Sequence, residues 1–479
     1  MNTAMENTPA PAQDSTKTVV VLGASTGGYR AAHLIAEGLP EGWRVIVIER
    51  NSHNNHLYIL PRLGVLPGHE YKAFIPYTNI FSPSSTSNSA LNDPTRPHLK
   101  LHATITSLTP HTVTLSRAFP EHGIPEREVR FEYAVYALGA RLPAPIDLWG
   151  APPACEGFKE ALTGHAKHPY GGTKPEGIAW LQKHQAAVQA ARSVLVVGGG
   201  ALGVQYATDI AAVYPSKRVT LLHSRHRLLP RFDEAMHAEI LQAMEELGVE
   251  VILGERLDMD SVSAASAHTT SANTTSALDV DSAPVNASRV VRTVTGRELA
   301  ADLLLMCTGQ LPNTDFLRDM DPRTVDPRDG MAHVLRTMQL GVLREEEVAE
   351  TDAEQTTPYP HIFAIGDAAD AFGALNAGHT AYWQAEVAAR NLVRLDTEED
   401  TQGKEEAAKN TRDDANADPS LEHYTPGAPA IKLSLGLTKS LYQIDGAVGT
   451  RDDGVPDLRA ELTWAFYGFG GVSDEDMHL

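Results

Sequence analysis

The chain has 479 residues, which is too long for one compact core, so two or three domains are expected. Its formal net charge of −21 argues against sequence-independent binding to nucleic acid, which requires a basic face. The chain's two cysteines lie far apart, which excludes a disulfide framework and a cysteine-rich metal site.

The polar residues 1–16 are rich in Pro, Ser, Thr and Asn and predict a disordered tail rather than a signal peptide. No apolar run approaches the roughly 20 residues that are needed to span a bilayer. No cluster of His, Cys and Asp residues has the spacing of metal ligands, so we predict no metal site. Because the sequence predicts neither a signal peptide nor a membrane span, we expect a cytoplasmic protein.

The first motif is an apolar strand at 19–22, a glycine-rich turn, a helical pattern and a second apolar run that ends on an acid; its marker residues are Gly23, Ser25, Gly27, Gly28 and Glu49. This is a βαβ unit with the spacing of a dinucleotide site. The turn brings backbone N–H groups to a pyrophosphate, and the acid binds a ribose hydroxyl. Ser25 replaces the usual middle glycine, so we expect it to admit the pyrophosphate and to donate its own hydroxyl. An ordinary strand–turn–helix is the alternative.

Between 50 and 191 the pattern alternates between strands and loops. Residues 82–98 form a loop rich in Ser, Pro and Asn that we expect to be solvated, and 133–139 read as a buried strand that ends in glycine. A segment rich in Pro and Gly at 141–175 suggests a crossover between domains. A helix is predicted from about 175 to 191.

The second motif is sharper than the first. Residues 192–203 form an apolar strand that runs into Gly198-x-Gly200-x-x-Gly203, followed by a helix at 201–213 and a second strand at 219–222. A helix at 232–247 and a strand at 249–253 extend the same sheet. Residues 258–288, dominated by Ser, Ala, Thr and Asp, are interpreted as a disordered surface insertion.

Further buried strands at 303–309 and 362–367 follow, and then a helix at 377–395. A charged linker is predicted at 397–420, and a short segment ends the chain. The two glycine-rich units lie about 175 residues apart, which argues for two nucleotide-binding folds in one chain. Two adjacent dinucleotides imply hydride transfer between a bound flavin and a diffusible nicotinamide.

These residues carry a family resemblance. The order GASTGG, IER, YALG, VVGGGALG, CTGQLPNT and FAIGDAAD resembles the flavoproteins with two dinucleotide-binding domains, which hold FAD at the first motif and NAD(P)H at the second. The segments HSRHRLLPRFD and YTPGAPAIKLSLG resemble the apoptosis-inducing-factor-like branch. Within that branch they are similar to ferroptosis-suppressor-type NAD(P)H:quinone oxidoreductases, which are kin to type II NADH dehydrogenases.

The resemblance implies an α/β fold with two Rossmann-like domains, the second inserted in the first, and a small C-terminal segment. The implied boundaries are a tail at 1–16, an FAD domain at 17–141 and 310–396, an NAD(P)H domain at 142–309 with its insertion at 258–288, a linker at 397–420 and a C-terminal segment at 421–479.

The motifs and the resemblance assign residues to both cofactors. Those assigned to FAD are Gly23, Ser25, Thr26, Gly27, Gly28, Glu49, Arg50, Arg62, Ala137, Leu138, Gly139, Gly366, Asp367, Asn376, Ala377 and Gly378. Those assigned to NAD(P)H are Gly198, Gly200, Ala201, Leu202, Gly203, Gln205, His223, Ser224, Arg225, Thr308 and Gly309.

Several of these assignments have a specific role. Asp367 is expected to bind the ribityl or pyrophosphate part of FAD. Asn376 is the expected N-cap of a helix, starting near Ala377, whose positive end stabilises reduced flavin, with Ala377 and Gly378 also near the ring. Arg62 resembles a flavin-proximal arginine, and a surface arginine is the alternative. No catalytic acid or base is predicted, because FAD itself transfers the hydride.

The nicotinamide choice follows from the end of the second strand. Arg225 could pair with a 2′-phosphate, whereas an acid in place of His223 would repel it. We therefore predict that NADPH is used at least as well as NADH. Gln205 stands where relatives commonly carry a glutamate that faces the nicotinamide ribose.

The region NHLYILPRLGV lacks the cysteine pair of dithiol reductases, so electrons pass directly to a small acceptor or a partner protein. His53 and His56 in this region are interpreted as loop-packing or flavin-edge residues. The leading hypothesis is reduction of a quinone-like acceptor. The alternatives are a reductase of a small electron-transfer protein and an apoptosis-inducing-factor-like signalling flavoprotein. Peripheral membrane association stays open, with residues 462–469 packing in the core or touching lipid. The oligomeric state is not determined by the sequence.

Overall fold

A computed structural model describes residues 16–82, 98–154, 170–263, 289–342, 356–405 and 420–479. The predicted tail at 1–16, the loop at 82–98, the insertion at 258–288 and the linker at 397–420 therefore lie wholly or largely outside the described residues. None of the helices in the described ranges combines the length and apolar character that crossing a bilayer requires.

The β-strands are β1 (Lys17–Leu22), β2 (Trp43–Glu49), β3 (His53–Asn55), β4 (Phe74–Pro76), β5 (Leu99–His102), β6 (Ile105–Thr109), β7 (Thr112–Leu115), β8 (Glu128–Arg130), β9 (Tyr133–Tyr136), β10 (Ala140–Arg141), β11 (Ser193–Val197), β12 (Arg218–His223), β13 (Glu250–Leu253), β14 (Arg289–Arg292), β15 (Glu298–Ala301), β16 (Leu303–Met306), β17 (Leu311–Pro312), β18 (Gln339–Val342), β19 (Thr356–Ala364), β20 (Ile431–Leu435), β21 (Lys439–Ile444) and β22 (Ala447–Asp452). The α-helices are α1 (Thr26–Gly38), α2 (Leu60–Leu63), α3 (Lys174–Ala190), α4 (Ala201–Val213), α5 (Glu234–Glu246), α6 (Asp315–Met320), α7 (Gly378–Glu405) and α8 (Ala460–Phe466).

The first unit is built on a six-stranded sheet with the order β18-β19-β9-β1-β2-β5. Its strands are parallel except for β18, which runs antiparallel to β19 at one edge. The central strand β1 reads KTVVVL and is almost entirely buried, as expected for a parallel strand that is covered on both faces. Helices α1 and α7 share the apolar core of this unit. Because β18 and β19 come late in the chain, the first unit is discontinuous.

The second unit is built on a four-stranded parallel sheet with the order β13-β12-β11-β16. Its central strand β11 reads SVLVV and is buried throughout. The two crossovers between the units pair with each other as the short antiparallel strands β10 and β17. The predicted fold, two Rossmann-like units with the second inserted in the first, is thereby confirmed.

The C-terminal segment touches both units. Strands β20, β21 and β22 form an antiparallel sheet, whose buried residues Leu433 and Leu441 join the core of the second unit. Helix α8 then returns to the first unit, where Trp464 and Tyr467 belong to the core. This segment therefore packs against both nucleotide-binding units.

Three details differ from the sequence predictions. Helix α7 runs to Glu405, past the predicted end at Leu395, because the Glu, Gln and Lys residues beyond Leu395 have high helix propensity. Residues 259–263 are helical and Val262 is buried, so this part of the predicted disordered insertion is ordered. Helix α3 begins at Lys174, where a reciprocal capping box satisfies the first turn.

Candidate functional site

A cavity of about 780 Å³ lies in the first unit, at the carboxyl ends of its parallel strands. Its walls come from the turn after β1, the end of β2, the turn after β9, the start of α7 and helix α8. Most residues predicted for FAD line it: Gly23, Ser25, Thr26, Gly27, Gly28, Glu49, Arg50, Ala137, Leu138, Gly139, Gly366, Asp367, Ala377 and Gly378. Arg62 and Asn376 do not.

Two glycines of the first turn are required by close backbone packing. Gly23 has φ +93°, and a Cβ there would lie 2.5 Å from the carbonyl oxygen of Ala137. A Cβ on Gly28 would lie 1.9 Å from the carbonyl oxygen of Gly23. Ser25 is the N-cap of α1 with φ −67°, is exposed, and needs no glycine. The turn therefore holds the first amides of α1 toward the cavity, where they can bind an anion.

Glu49 fixes this turn from the end of β2. Its Oε2 accepts the N–H of Ala24 at 2.7 Å, and its Oε1 accepts the backbone N–H and the side-chain N–H of Asn51, both at 2.9 Å. The side chain is 7% exposed and lines the cavity. A carboxylate has about four lone-pair sites, so Glu49 retains acceptor capacity for a ribose hydroxyl.

A further part of the cavity wall comes from residues within 365–381. Burial raises the pKa of Asp367 to about 6. A Cβ on Gly378 would lie 3.3 Å from Oγ1 of Thr26, so the first residues of α7 and α1 lie side by side. Because α7 begins at Gly378, the N-cap position falls on Ala377, and the predicted capping role of Asn376 is corrected.

The structure also corrects the prediction that Arg62 lies beside the flavin. Its side chain has no exposed surface, so it cannot touch a ligand in the cavity. Its guanidinium donates to Oδ1 of Asp209 at 2.9 Å and to the carbonyl oxygen of Gly436 at 2.6 Å. Burial raises the pKa of Asp209 to about 6, against the opposing effect of Arg62. Arg62 thus ties α2, whose Leu60 and Leu63 pack in the core of the second unit, to α4 and to the C-terminal sheet.

One end of the cavity is formed by residues 54–58, which include no cysteine. His56 lines this end, and burial lowers its pKa to about 4, so the ring is neutral. Its Nε2 lies 2.9 Å from the hydroxyl of Thr463. The described residues contain no group of three or more metal-ligating side chains.

Sequence reasoning missed the part of the wall that α8 and its following residue contribute. Leu462, Thr463, Phe466 and Tyr467 line the cavity. Their aromatic stretch was recognisable, but nothing local indicated that it packs on a turn more than four hundred residues earlier. At the rim, Leu57, Leu462 and Phe466 are 38%, 63% and 41% exposed.

The second unit repeats the turn of the first. Gly198 has φ +123°, and a Cβ there would lie 2.6 Å from the carbonyl oxygen of Cys307. A Cβ on Gly203 would lie 1.9 Å from the carbonyl oxygen of Gly198. Gly200, the N-cap of α4, has no atom within 4 Å of its Cβ position. The residues predicted for NAD(P)H at this end of the sheet are Gly198, Gly200, Ala201, Leu202, Gly203, His223, Ser224, Arg225, Thr308 and Gly309.

The ends of β12 and α4 carry the remaining predicted NAD(P)H contacts. Nδ1 of His223 accepts the N–H of Gly199 at 3.0 Å, while Arg225 is exposed. Gln205 is buried, and its amide Nε2 lies 3.4 Å from Oγ of Ser434 in β20. Its side chain therefore faces the C-terminal sheet rather than the open end of the unit.

The chain matches the family described as pyridine nucleotide-disulphide oxidoreductase over residues 17–390. It is 39% identical over 466 residues to Fe-regulated protein 8 of Mycosarcoma maydis, and the match covers 96% of each chain. It is 24% identical to apoptosis-inducing factor homolog B of Dictyostelium discoideum over 89% of each chain. It is 27% identical to ferroptosis suppressor protein 1 of Homo sapiens over 54% of this chain and 55% of that one. The resemblance predicted from the motifs is confirmed.

Among solved structures, the NAD-dependent persulfide reductase from A. fulgidus superimposes with a TM-score of 0.53 at 16% identity. The match covers 89% of this chain and 63% of that longer chain. At this identity the likeness shows a shared fold and nothing more specific.

Proposed function

Because this chain belongs to the pyridine nucleotide-disulphide oxidoreductase family, we propose that it passes a hydride from NAD(P)H to FAD and then electrons to a quinone-like acceptor. FAD and NAD(P)H are the cofactors of this family. The acceptor is inferred from the shape and chemistry of the cavity in the first unit.

The residues of this cavity fit FAD. The first amides of α1 are suited to the pyrophosphate, and Glu49 is suited to a ribose hydroxyl. A volume of about 780 Å³ is within the range of cofactor sites. When bound, FAD supplies a two-electron carrier between the two substrates. The start of α7 at Gly378 faces the same cavity, so its positive end can stabilise negative charge on the ring.

The observation that carries the acceptor proposal is the apolar, cysteine-free end of the cavity. Leu57, Tyr58, Leu462 and Phe466 bound this end, and three of them are partly exposed at the rim. A flat lipophilic ring can reach the flavin between such side chains. The hydroxyl of Thr463 and the neutral ring of His56 supply a polar pair there, suited to hydrogen-bond a quinone oxygen.

Cys307, the cysteine within the described residues, offers no route for electrons. Cys307 is buried in the second unit, where burial raises the pKa of its thiol, so it stays protonated and unreactive. Cys155 lies outside the described residues. A lipophilic acceptor also supports peripheral contact with a lipid surface through the same rim. Nearby, Trp383 is 60% exposed and packs on Tyr382, whose ring centroid lies 6.0 Å from that of Phe466.

The experiment is an assay with two acceptors. The purified protein is examined for flavin absorbance, and NAD(P)H oxidation is then followed with a short-chain benzoquinone and, separately, with a small redox protein such as a ferredoxin. We expect a bound flavin and rapid oxidation with the quinone only. Activity with the redox protein alone would show that the acceptor is a protein rather than a quinone. Flavin without NAD(P)H oxidation would favour a signalling role, and absence of flavin would refute the proposal.

The peripheral contact is tested by flotation with liposomes. Replacing Leu462 and Phe466 by serine removes apolar surface from the rim without changing charge. We expect the wild-type protein to float with the vesicles and the double variant to float less. Equal flotation of the two proteins would show that the rim does not contact the lipid surface.

A further inference from the structure

The C-terminal strap, residues 460–469, crosses one side of the first cavity and is held there by its own contacts. The indole Nε1–H of Trp464, which is fully buried, donates to the carbonyl oxygen of Lys72 at 3.0 Å. The side-chain Nδ2–H of Asn79 donates to the carbonyl oxygen of Gly468 at 3.1 Å. The strap is therefore anchored on both sides of Tyr467 without help from the hydroxyl of that residue.

Tyr467 is buried deeply, and the only polar side-chain contact of its hydroxyl within the described ranges is a weak one with Thr26. Its side chain is 1% exposed, and its ring packs edge-on against Tyr29 with centroids 4.6 Å apart. Within the described ranges its Oη makes no hydrogen bond of normal geometry. Burial raises the pKa of this hydroxyl, so it remains a protonated donor. A buried hydroxyl without a hydrogen bond of normal geometry costs free energy, which a ligand in the cavity can recover.

The hydroxyl lies beside the pyrophosphate end of the cavity. Tyr467 lines the cavity, and its phenol interacts with Thr26, the first residue of α1, and with Glu49. In α1 the first intrahelical bond runs from the N–H of Tyr29 to the carbonyl oxygen of Ser25, at 2.8 Å. The amides before Tyr29 are thus available for an anion, and the phenol is a second donor at the same place.

We propose that Tyr467 donates a hydrogen bond from its hydroxyl to the pyrophosphate of FAD, so that the C-terminal strap completes the cofactor site. The proposal rests on the assignment of FAD to the first cavity under the proposed function. It gives the strap a ligand-binding role in addition to its packing, and it makes residues near the end of the chain part of a site that begins at Gly23.

The test compares Tyr467→Phe with the wild type. The apoproteins are titrated with FAD, and binding is followed by the quenching of flavin fluorescence. Since hydrogen bonds to charged groups are the stronger ones, we expect the Kd for FAD to rise about ten- to a hundredfold. ADP, which carries the same pyrophosphate without the flavin, should compete more weakly by a similar factor.

Tyr29→Phe is the matched control. The hydroxyl of Tyr29 already donates to the carbonyl oxygen of Asn79 at 3.2 Å, so its loss should leave the Kd for FAD unchanged. The Tm of each apoprotein separates binding from packing. An unchanged Kd in Tyr467→Phe overturns the proposal, and so does a weaker Kd that Tyr29→Phe reproduces together with a lower Tm. A wild-type protein that binds no FAD would instead refute the proposed function.

Discussion

The two nucleotide-binding units of this chain share one turn geometry and differ in what faces it. In the first, a Cβ on Gly23 would lie 2.5 Å from Ala137 O; in the second, a Cβ on Gly198 would lie 2.6 Å from Cys307 O. The same steric requirement thus recurs where each turn packs against the residue that follows a neighbouring strand. The glycines preserve the turn, and the residues around it decide what each unit binds.

The residue at the end of the second strand shows this difference. Glu49 accepts the N–H of Ala24, and His223 accepts the N–H of Gly199, the corresponding amide of the second turn. Both side chains therefore hold the turn in place, but only the carboxylate repels a phosphate on the ribose. The first unit is also covered by the C-terminal strap. We infer that the first unit is built to retain its dinucleotide and the second to exchange it.

The largest effect is expected when the first turn is broken. Gly23→Val places a β-branched side chain at φ +93° and against a backbone carbonyl, so the purified protein should lack FAD. Flavin absorbance per protein measures this. Ser25→Gly is the control. Ser25 has an ordinary φ of −67°, so glycine fits there without a change of backbone, and this variant should retain flavin. Full flavin content in Gly23→Val would contradict the assignment of FAD to this unit.

The equivalent change in the second unit should separate retention of FAD by the first unit from exchange of NAD(P)H by the second. Gly198→Val should keep FAD, while kcat/KM for NAD(P)H falls by about a hundredfold or more, because the dinucleotide can no longer reach its position. Steady-state kinetics with the flavin content measured in parallel provides the check. Loss of flavin together with activity would show that the two units do not act independently.

The buried ion pair between α2 and α4 is expected to contribute to the stability of the fold. Arg62→Met leaves Asp209 buried without its partner, so we expect the free energy of unfolding to fall by about 3–5 kcal/mol. Denaturant unfolding measures this change. The double variant Arg62→Met/Asp209→Leu removes both charges and should recover most of the loss. If the two single substitutions instead add up in the double variant, the pair does not act as a coupled unit.

The smallest effect concerns the choice of nicotinamide. Arg225→Ala removes the exposed guanidinium that we expect to face a 2′-phosphate, so the NADPH to NADH ratio of kcat/KM should fall about tenfold. Measurement with both nucleotides at equal ionic strength gives the ratio. Arg256→Ala, at another arginine of the same unit, controls for the general loss of positive charge. An unchanged ratio in Arg225→Ala would refute this assignment.

Much of the fold was predictable because its signals are local. The strands β1 and β11 are continuous apolar runs, and Gly23 and Gly198 sit where each run turns into a helix. The order of strand, turn, helix and strand within 17–49 and 192–222 is therefore predicted by the local sequence alone. The part of the cavity wall at Asp367 was also predictable, since Asp367 comes three residues after the end of the buried strand β19.

What sequence reasoning missed depends on distant contacts. The resemblance placed Arg62 at the flavin, but its guanidinium is satisfied by Asp209 and Gly436, which no local pattern connects to it. Tyr467 reads as one aromatic residue in an aromatic stretch, and only the packed chain shows that it faces Thr26. Such contacts depend on how two units and a strap pack, which periodicity does not encode.

The order of the strands in the first sheet has a consequence for biosynthesis. The sheet of the second unit is complete once residue 306 has left the ribosome, whereas the first still lacks β18 and β19. Until β19 emerges and pairs with β9, β9 is an open, apolar edge on the nascent chain, of the kind that chaperones protect. The residues at 365–378 and 462–467 that close the cavity emerge later still. Loading of FAD is therefore expected only after residue 467 has emerged, as a late step of assembly.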